Sequence, residues 1–168
     1  MKTVRSKTYC ILLCFMVIVA NISCSKDDPL DTVENAEAKS MANEILQLVN
    51  AHRKSIGKQA LSFNTLANAL AHEHTLYMIG QRDISHDDFD ERADRLFDEE
   101  NASQVGENVA YGQPSAQVVM NAWLNSPGHR RNIEGDFTHI GIAVIQDESG
   151  TYYFTQLFLK KRSSSPEA

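Results

Sequence analysis

The chain has 168 residues, of which 42% are hydrophobic and 23% are charged, and this composition predicts one globular domain with short appendages. Its 22 acidic and 16 basic residues give a net charge of −6, which argues against nucleic acid as a partner because phosphate backbones repel an acidic surface. The three cysteines stand at positions 10, 14 and 24, so the remainder of the chain has no disulfide framework and no thiol nucleophile.

Residues 1–23 have the pattern of a secretory signal peptide. Basic residues precede an apolar run over residues 9–20, which is short for a membrane span, although an uncleaved anchor is the alternative. The run ends at Asn21-Ile22-Ser23-Cys24 and resembles a bacterial lipoprotein signal, with Asn21 in place of the usual Leu-like residue. We therefore expect a lipid on Cys24 to hold the protein at the cell envelope, on the periplasmic or the surface face of the outer membrane.

Composition divides the rest of the chain into three parts. Residues 24–37 are polar and acidic and are expected to form a flexible tether. Residues 38–160 have the apolar periodicity of a folded domain. Residues 161–168 are polar and are expected to form a disordered tail.

Apolar residues at helical spacing predict two helices at the start of this domain. The first covers roughly residues 38–56. Asn64 is expected to cap the second and Gly80 to end it. His74 lies in the apolar row of the second helix, which predicts a buried histidine bonded to the backbone, whereas His72 is expected to face solvent.

A third helix is predicted after residues 85–88, which have the pattern of a capping box. A polar loop is expected over residues 98–106, and Glu107–Tyr111 is expected to be a short strand. The apolar residues that this third helix would turn inward are Phe89, Ala93, Leu96 and Phe97.

The sequence of the last third of the domain predicts one helix and a β-hairpin. The helix is expected to open at Pro114 or Ser115 and to end near Pro127. Strands over about 138–146 and 151–159 alternate in polarity around a turn. The sequence therefore predicts an α+β fold in which helices flank a small antiparallel sheet. The residues expected to face inward from the helix are Val118, Val119, Ala122 and Trp123.

Three residues could carry chemistry if folding brings them into one cleft: His86, Glu107 and His129. Two imidazoles and a carboxylate can hold a divalent metal ion or share a proton. The alternatives are an exposed loop histidine, a surface glutamate and a histidine favoured by the dipole at a helix C-terminus. The neighbouring arginines are expected to lower the pKa of His129. His139 receives no role.

Several familiar enzyme motifs are absent. The chain has no His-Glu-x-x-His, no Gly-x-Ser-x-Gly, no phosphate loop and no dinucleotide fingerprint. These absences argue against zincin peptidases, ordinary serine hydrolases and nucleotide enzymes.

The stretch from about Ile45 to Leu159 resembles a CAP (SCP-like) domain of the bacterial type. The Glu-Asn-Val-Ala and Ser-Pro-Gly-His-Arg-x-Asn-Ile segments are specific in combination and order. The matching segments are Val49-Asn50-x-His52-Arg53, Leu61-Ser62-Phe63, Ala71-x-x-His74-Thr75-x-x-Met78, His86, Gly106-Glu107-Asn108-Val109-Ala110, the stretch from Trp123 to Ile133, His139-Ile140-Gly141-Ile142 and Thr155-Gln156-x-Phe158.

The resemblance implies an α-β-α sandwich with a central cleft. In many relatives two histidines and two glutamates line the cleft and can bind zinc or another divalent ion. His86, Glu107 and His129 match three of these four positions. Ser126 stands at the fourth, so one carboxylate is missing, and with it an anionic ligand or a general base.

Two functions from different classes follow from this site. In the first, favoured hypothesis, the domain is a binding module whose cleft holds a small apolar ligand, a cell-wall fragment or a protein partner. In the second, it is a metal-assisted hydrolase of peptide or wall substrates. His86 and His129 would then hold Zn²⁺, and Glu107 would orient or deprotonate water. A scaffold with a vestigial cleft is a third option.

Overall fold

This computed structural model describes residues 29–163, and their side chains from residue 36. Within this range the chain forms five helices and four strands. The predicted signal peptide and Cys24 lie outside the described residues. None of the described helices is long and apolar enough to span a bilayer. The elements in chain order are α1 (Pro29–Ser55), β1 (Ser62–Phe63), α2 (Thr65–Gln81), α3 (Phe89–Glu100), β2 (Ala102–Tyr111), α4 (Ala116–Asn125), α5 (Pro127–Ile133), β3 (His139–Gln146) and β4 (Tyr152–Lys161).

The four strands form one sheet in the order β1-β3-β4-β2. β3 and β4 are the predicted hairpin, and β2 pairs antiparallel with β4. β1 runs parallel to β3, so the expectation of a wholly antiparallel sheet is wrong at this edge. The parallel pair arises because the chain leaves β1 and returns to β3 only after a long crossover with helices on both faces of the sheet.

Helices cover both faces of the sheet, which confirms the α+β class and the three-layer sandwich. α1, α4 and α5 pack on one face over a continuous apolar cluster. Trp123 of this cluster meets Phe154 edge to face, with ring centroids 6.3 Å apart. α2 and α3 pack on the other face. There α2 comes so close to β3 that a Cβ added to Gly141 would overlap the backbone of Ala67.

α1 and α2 differ from the predicted helices at their ends. α1 begins at Pro29, nine residues before the predicted start, so residues 29–37 are helical rather than a flexible tether. Proline is pre-organised for the first helical turn, and acidic residues follow it where the helix dipole favours them. Asn64 caps α2 as expected, but Gly80 lies inside this helix, which ends at the left-handed Arg82 with φ of 56°.

The capping box predicted at residues 85–88 is wrong. Asp88 precedes α3 with φ of 55° and makes no side-chain cap bond, because His74 and Arg92 hold this segment through its backbone carbonyls instead. The polar loop predicted over residues 98–106 is also wrong: α3 continues to Glu100, and β2 begins at Ala102. Asn101, with φ of 52°, makes the connection in one residue.

Some helix positions face differently from the prediction. Ser115 caps α4, and Val119 and Trp123 are buried as expected, but Val118 and Ala122 are exposed. Phe97 of α3 is also partly exposed, at 37%. These side chains lie at the margin of an apolar stripe, where the neighbouring layer does not reach them.

The end of the domain is more ordered than the predicted disordered tail. Lys161 belongs to β4, and the backbone N–H of Arg162 donates to the carbonyl of Asn101. Lys160 pairs with Asp136. The sheet therefore continues to the start of the predicted tail, and residues 164–168 lie outside the described residues.

Candidate functional site

Glu107 is a buried carboxylate on the outer strand of the sheet. It lies on β2 opposite Leu157, and its side chain is 2% exposed. Arg92 of α3 binds it through two bonds: Nε donates to Oε2 at 2.9 Å and Nη2 donates to Oε1 at 3.0 Å. A two-point arginine pair compensates a buried carboxylate and fixes the plane of the carboxyl group.

His86 is held by the same carboxylate. Its Nδ1 lies 2.7 Å from Oε1 of Glu107, although 21 positions separate the two residues. Since the buried carboxylate accepts this bond, Nδ1 carries the hydrogen. The side chain is 53% exposed, and Nε2 makes no hydrogen bond within the described residues. The structure therefore presents one oriented ring nitrogen of His86 to the surface.

A second histidine holds the segment that carries His86. His74 of α2 is buried, and its Nε2 donates to the carbonyl of Ser85 at 2.8 Å. Burial lowers the pKa of His74, which favours the neutral ring. Arg92 adds a bond from Nη1 to the carbonyl of Asp87. The predicted structural role of His74 is confirmed, and the ring also lies 3.9 Å from Glu107.

His129 is the third residue of α5 rather than the last residue of a preceding helix. The dipole argument for a protonated ring at a helix C-terminus is therefore wrong, because the chain starts a new helix at Pro127. The ring is half-buried. Burial lowers the pKa of His129 and the charge of His86 lowers it further, so the predicted direction is confirmed but its cause is not the neighbouring arginines.

Two asparagines fasten α5 to β2. Asn132 donates to the backbone carbonyl of Glu107 at 2.8 Å and to Oδ1 of Asn108 at 2.9 Å. Asn108 in turn donates to the backbone carbonyl of His129 at 3.2 Å and to Gln156 at 3.0 Å. These bonds fix the helix that carries His129 relative to the strand that carries Glu107.

Gly106 permits this close approach. A Cβ at this position would lie 3.0 Å from Oδ1 of Asn132 and 3.1 Å from the ring of Phe137. Contacts this short require the neighbours to move, so glycine keeps α5 against β2.

Ser126 joins α4 to α5. It is the residue after the last turn of α4 and the residue before the first turn of α5, and its side chain makes no cap bond. It is half-buried, and its backbone carbonyl accepts from the N–H of Arg130. Ser126 therefore lies one helical turn from His129.

These residues favour imidazole rather than carboxylate as a metal ligand. Both oxygens of Glu107 accept hydrogen bonds from Arg92 or His86. Within residues 36–163, no three His, Cys, Asp or Glu side chains are grouped so that they could hold a metal ion together.

A family model for the cysteine-rich secretory protein (CAP) family matches residues 46–158. The chain belongs to the CAP family. The matched region contains His86, Glu107, Ser126 and His129, together with the α2 helix and most of the β3–β4 hairpin. The resemblance stated from the sequence motifs is confirmed.

Two curated relatives come from Bacillus subtilis (strain 168). The chain is 48% identical to the uncharacterized protein YkwD over 58 residues, which are 34% of this chain and 21% of that protein. It is 31% identical to the uncharacterized membrane protein YlbC over 122 residues, which are 70% of this chain and 34% of that protein. The matched region thus spans a fifth to a third of the length of these relatives.

Solved structures share the fold. An extracellular protein containing an SCP domain from Bacillus anthracis is 25% identical, with a TM-score of 0.67 and coverage of 76% of this chain and 43% of that chain. An outer surface protein from Borrelia burgdorferi is 23% identical, with a TM-score of 0.67 and coverage of 74% of this chain and 96% of that chain. At 23% identity, the similarity to the Borrelia burgdorferi protein shows a shared fold alone.

The sequence interpretation did not assign Arg92 a role. A signal was present, because Arg92 falls among Phe89, Ala93 and Leu96 on the inward side of α3, and a buried arginine requires a partner. Asn132 was missed as well. Its role depends on the crossing of α5 and β2, which the sequence does not display.

Proposed function

We propose that this CAP domain is an envelope-anchored binding protein. Its cleft, defined by His86, Glu107, Ser126 and His129, holds a small ligand or a segment of a protein partner. The ligand classes are a lipid, a sterol-like molecule or a cell-wall fragment. The observation that carries the proposal is the pairing of Glu107 with both Arg92 and His86.

This pairing removes the group that catalysis would need most. The carboxylate is 2% exposed and both of its oxygens already accept bonds from Arg92 or His86, which leaves it poorly placed to reach a substrate or a water molecule. Ser126 supplies no second carboxylate in its place. What remains at the surface is a pair of imidazoles that can donate or accept hydrogen bonds, and such groups confer orientation and specificity on a binding site.

An extracytoplasmic location supports this role. The Bacillus anthracis neighbour is described as extracellular and the Borrelia burgdorferi neighbour as an outer surface protein. Acylation of Cys24 would attach this chain to the membrane, with the acidic domain held at the envelope by the segment that precedes it. The CAP domain would then meet lipids and wall fragments at high local concentration.

The test uses the full chain purified from its native membrane in mild detergent. Mass spectrometry of the purified protein, and titration with cell-wall fragments, should reveal a ligand that is lost in His86→Ala and His129→Ala. His72→Ala is the matched control, because His72 is exposed on α2 and has no part in the cleft. A ligand kept equally by all three variants, or no ligand in either assay, contradicts the proposal.

A metal-assisted hydrolase of peptide or wall substrates is the second candidate. One observation favours it: a carboxylate that receives Nδ1–H of a histidine commonly orients the ring so that Nε2 can bind a metal ion. His86 and His129 would hold Zn²⁺, and the lowered pKa of His129 favours the neutral ring that a metal requires. Bound Zn²⁺ would supply a Lewis acid.

Calorimetry separates the two candidates. Zn²⁺ is titrated into the wild type, into His86→Ala and into His72→Ala at neutral pH. The hydrolase requires binding by the wild type and the control and a loss in His86→Ala. Equal heats in all three proteins, or none in any of them, leave only the binding module.

A further inference from the structure

The strand β3 is paired along only part of one side. β1 has two residues, which pair with His139 and Ile140, whereas β3 continues to Gln146. Beyond Ile140, β3 has β4 on one side and no strand on the other within the described residues. This part of β3 is an open edge of the sheet.

Backbone groups of alternate residues face this open side. The N–H of Asn64 donates to the carbonyl of Ile140 at 3.0 Å, and the N–H of Ile142 donates to Oδ1 of Asn68 at 2.8 Å. Since the direction of backbone groups alternates along a strand, Val144 and Gln146 also face away from β4. In residues 29–163 no loop or side-chain hydrogen bond reaches the backbone of Val144.

A cavity of about 400 Å³ accompanies this edge. α1 and α2, which cover opposite faces of the sheet, form its two walls. The cavity therefore lies in the layer of the sheet itself, where a further strand would pair with β3. We call it the β3 groove, and its lining consists of Ala38, Lys39, Ala42, Asn68, His72 and Ile142–Ile145.

We propose that the β3 groove binds an extended, acidic peptide segment of another protein, which adds to the sheet as a strand. Backbone donors and acceptors on an open edge recognise a chain in β conformation. The residues from Ile142 to Gln146 extend over about 13 Å, enough for a segment of about five residues. β1 already occupies the same position in the sheet at the other end of β3.

The basic residues at the rim of the β3 groove favour an acidic segment as its occupant. Lys39 and His72 are exposed at the rim of the groove, one on each wall. Among the side chains of residues 36–163, none forms an ion pair with Lys39. An acidic residue at the edge of the bound segment would meet this lysine.

The groove is too recessed for a second copy of this chain. Ile142 and Val144 are only 6% and 7% exposed, because α1 and α2 rise on both sides of the edge. Another folded copy would bring the same two walls, and the helices would collide before the two edges could pair. A single narrow chain can enter, which is why an extended segment is the occupant.

The test uses the full chain in detergent and a fluorescent peptide that alternates valine and threonine between aspartates. Anisotropy measures binding, and hydrogen exchange with mass spectrometry locates it. We expect saturable binding with slower exchange of the segment Ile142–Gln146. The same peptide, N-methylated at alternate amides, should bind about tenfold more weakly, because it loses the backbone N–H groups that would donate hydrogen bonds to β3.

Matched variants test the charge. Lys39→Glu should weaken binding of the acidic peptide about fivefold. Lys54→Glu, on the same helix but outside the groove, should leave it unchanged, and so should His86→Ala in the separate cleft. Circular dichroism checks that each variant is folded.

Several outcomes would overturn the proposal. Equal binding of the N-methylated peptide, protection at other segments, or equal effects of the two lysine variants would each exclude strand addition at this edge. Slow exchange of the Val144 amide in the free protein would show that another segment of this chain covers the groove. A dimer detected by light scattering would show that a second copy of the chain covers it.

Discussion

The two faces of the sheet use buried side chains differently. The face under α1, α4 and α5 has one continuous apolar cluster that includes Trp123, Phe154 and Phe158. On the face under α2 and α3, two smaller apolar clusters are separated by buried polar groups. Those buried polar groups are His74, Thr75, Arg92, Glu107 and Thr155.

The two faces therefore contribute differently: one mainly stabilises the fold, and the other fixes the geometry of the candidate site. Apolar burial stabilises most of the first face without directional requirements, and the buried Asn108 and Gln156 bond to each other beneath α5. On the second face each polar group has a partner: Thr75 and Thr155 bond to each other at 2.8 Å, and Arg92 pairs with Glu107. Buried ion pairs add little net stability compared with apolar residues of the same volume, but they fix geometry. The face under α2 and α3 therefore orients His86, while the opposite face stabilises the fold.

The largest expected effect is on the apolar face. Phe158 is fully buried and packs with Phe137 at a centroid distance of 5.4 Å. Phe158→Ala should lower the free energy of unfolding by about 4 kcal/mol, through lost burial and a cavity. Urea unfolding measures it. Phe97→Ala, at an exposed phenylalanine, should cost under about 1 kcal/mol, and equal losses would contradict the division of the faces.

The next effect is on the polar face. Arg92→Met should lower the free energy of unfolding by about 3 kcal/mol, because the buried carboxylate of Glu107 loses its arginine partner and keeps only the bond from His86. It should also broaden the orientations of the His86 ring, since that carboxylate is no longer fixed. Urea unfolding and NMR of the imidazole resonances measure the two consequences.

The double variant Arg92→Met/Glu107→Leu is the control for the charge. Removing both partners leaves no buried ion, so stability should return to within about 1 kcal/mol of the wild type, while the ring of His86 stays unrestrained. If the double variant were as unstable as Arg92→Met, packing rather than the unpaired charge would explain the loss.

The smallest effect is a pH dependence on the polar face. Burial lowers the pKa of His74 from its ordinary value of 6.5, so the unfolded chain binds more protons than the folded chain as the pH falls below 6.5. The contribution to stability is therefore complete above pH 6.5 and decreases as the pH falls towards the lowered pKa.

Thermal unfolding between about pH 7.5 and about pH 5 measures this dependence. We expect Tm to fall with pH in the wild type and to fall less in His74→Gln, which carries no titrating ring. His72→Gln, at an exposed histidine, should behave as the wild type. A variant His74→Gln with the same slope as the wild type would show that other groups cause the pH dependence.

The open edge of β3 and the His86–Glu107 pair lie at opposite margins of the sheet, and only the second had a motif in the sequence. The motifs around His86, Glu107 and His129 predicted a shared site, and the structure places Nδ1 of His86 2.7 Å from Oε1 of Glu107. The β3 groove has no motif, since backbone groups and alanines form much of it. Only the early end of β1 at Phe63 leaves the groove open.

The class of fold, the hairpin, the caps at Asn64 and Ser115, and the family could all be predicted from the sequence. These features depend on local periodicity, turn chemistry and motif order, which are properties of neighbouring residues. The same reasoning misplaced the end of α2 at Gly80 and missed the helix α5 that begins at Pro127, because local signals for a stop also occur within or between helices.

The pairing of charges and the open strand edge became visible only once the layers were packed. The bond partners of Glu107 lie 15 and 21 positions away, and those of Asn132 lie 24 and 25 positions away. Such contacts arise when packed layers bring distant segments together, and the energy of each depends on burial that no local pattern specifies. Packing therefore determined the orientation of His86 and the role of Arg92.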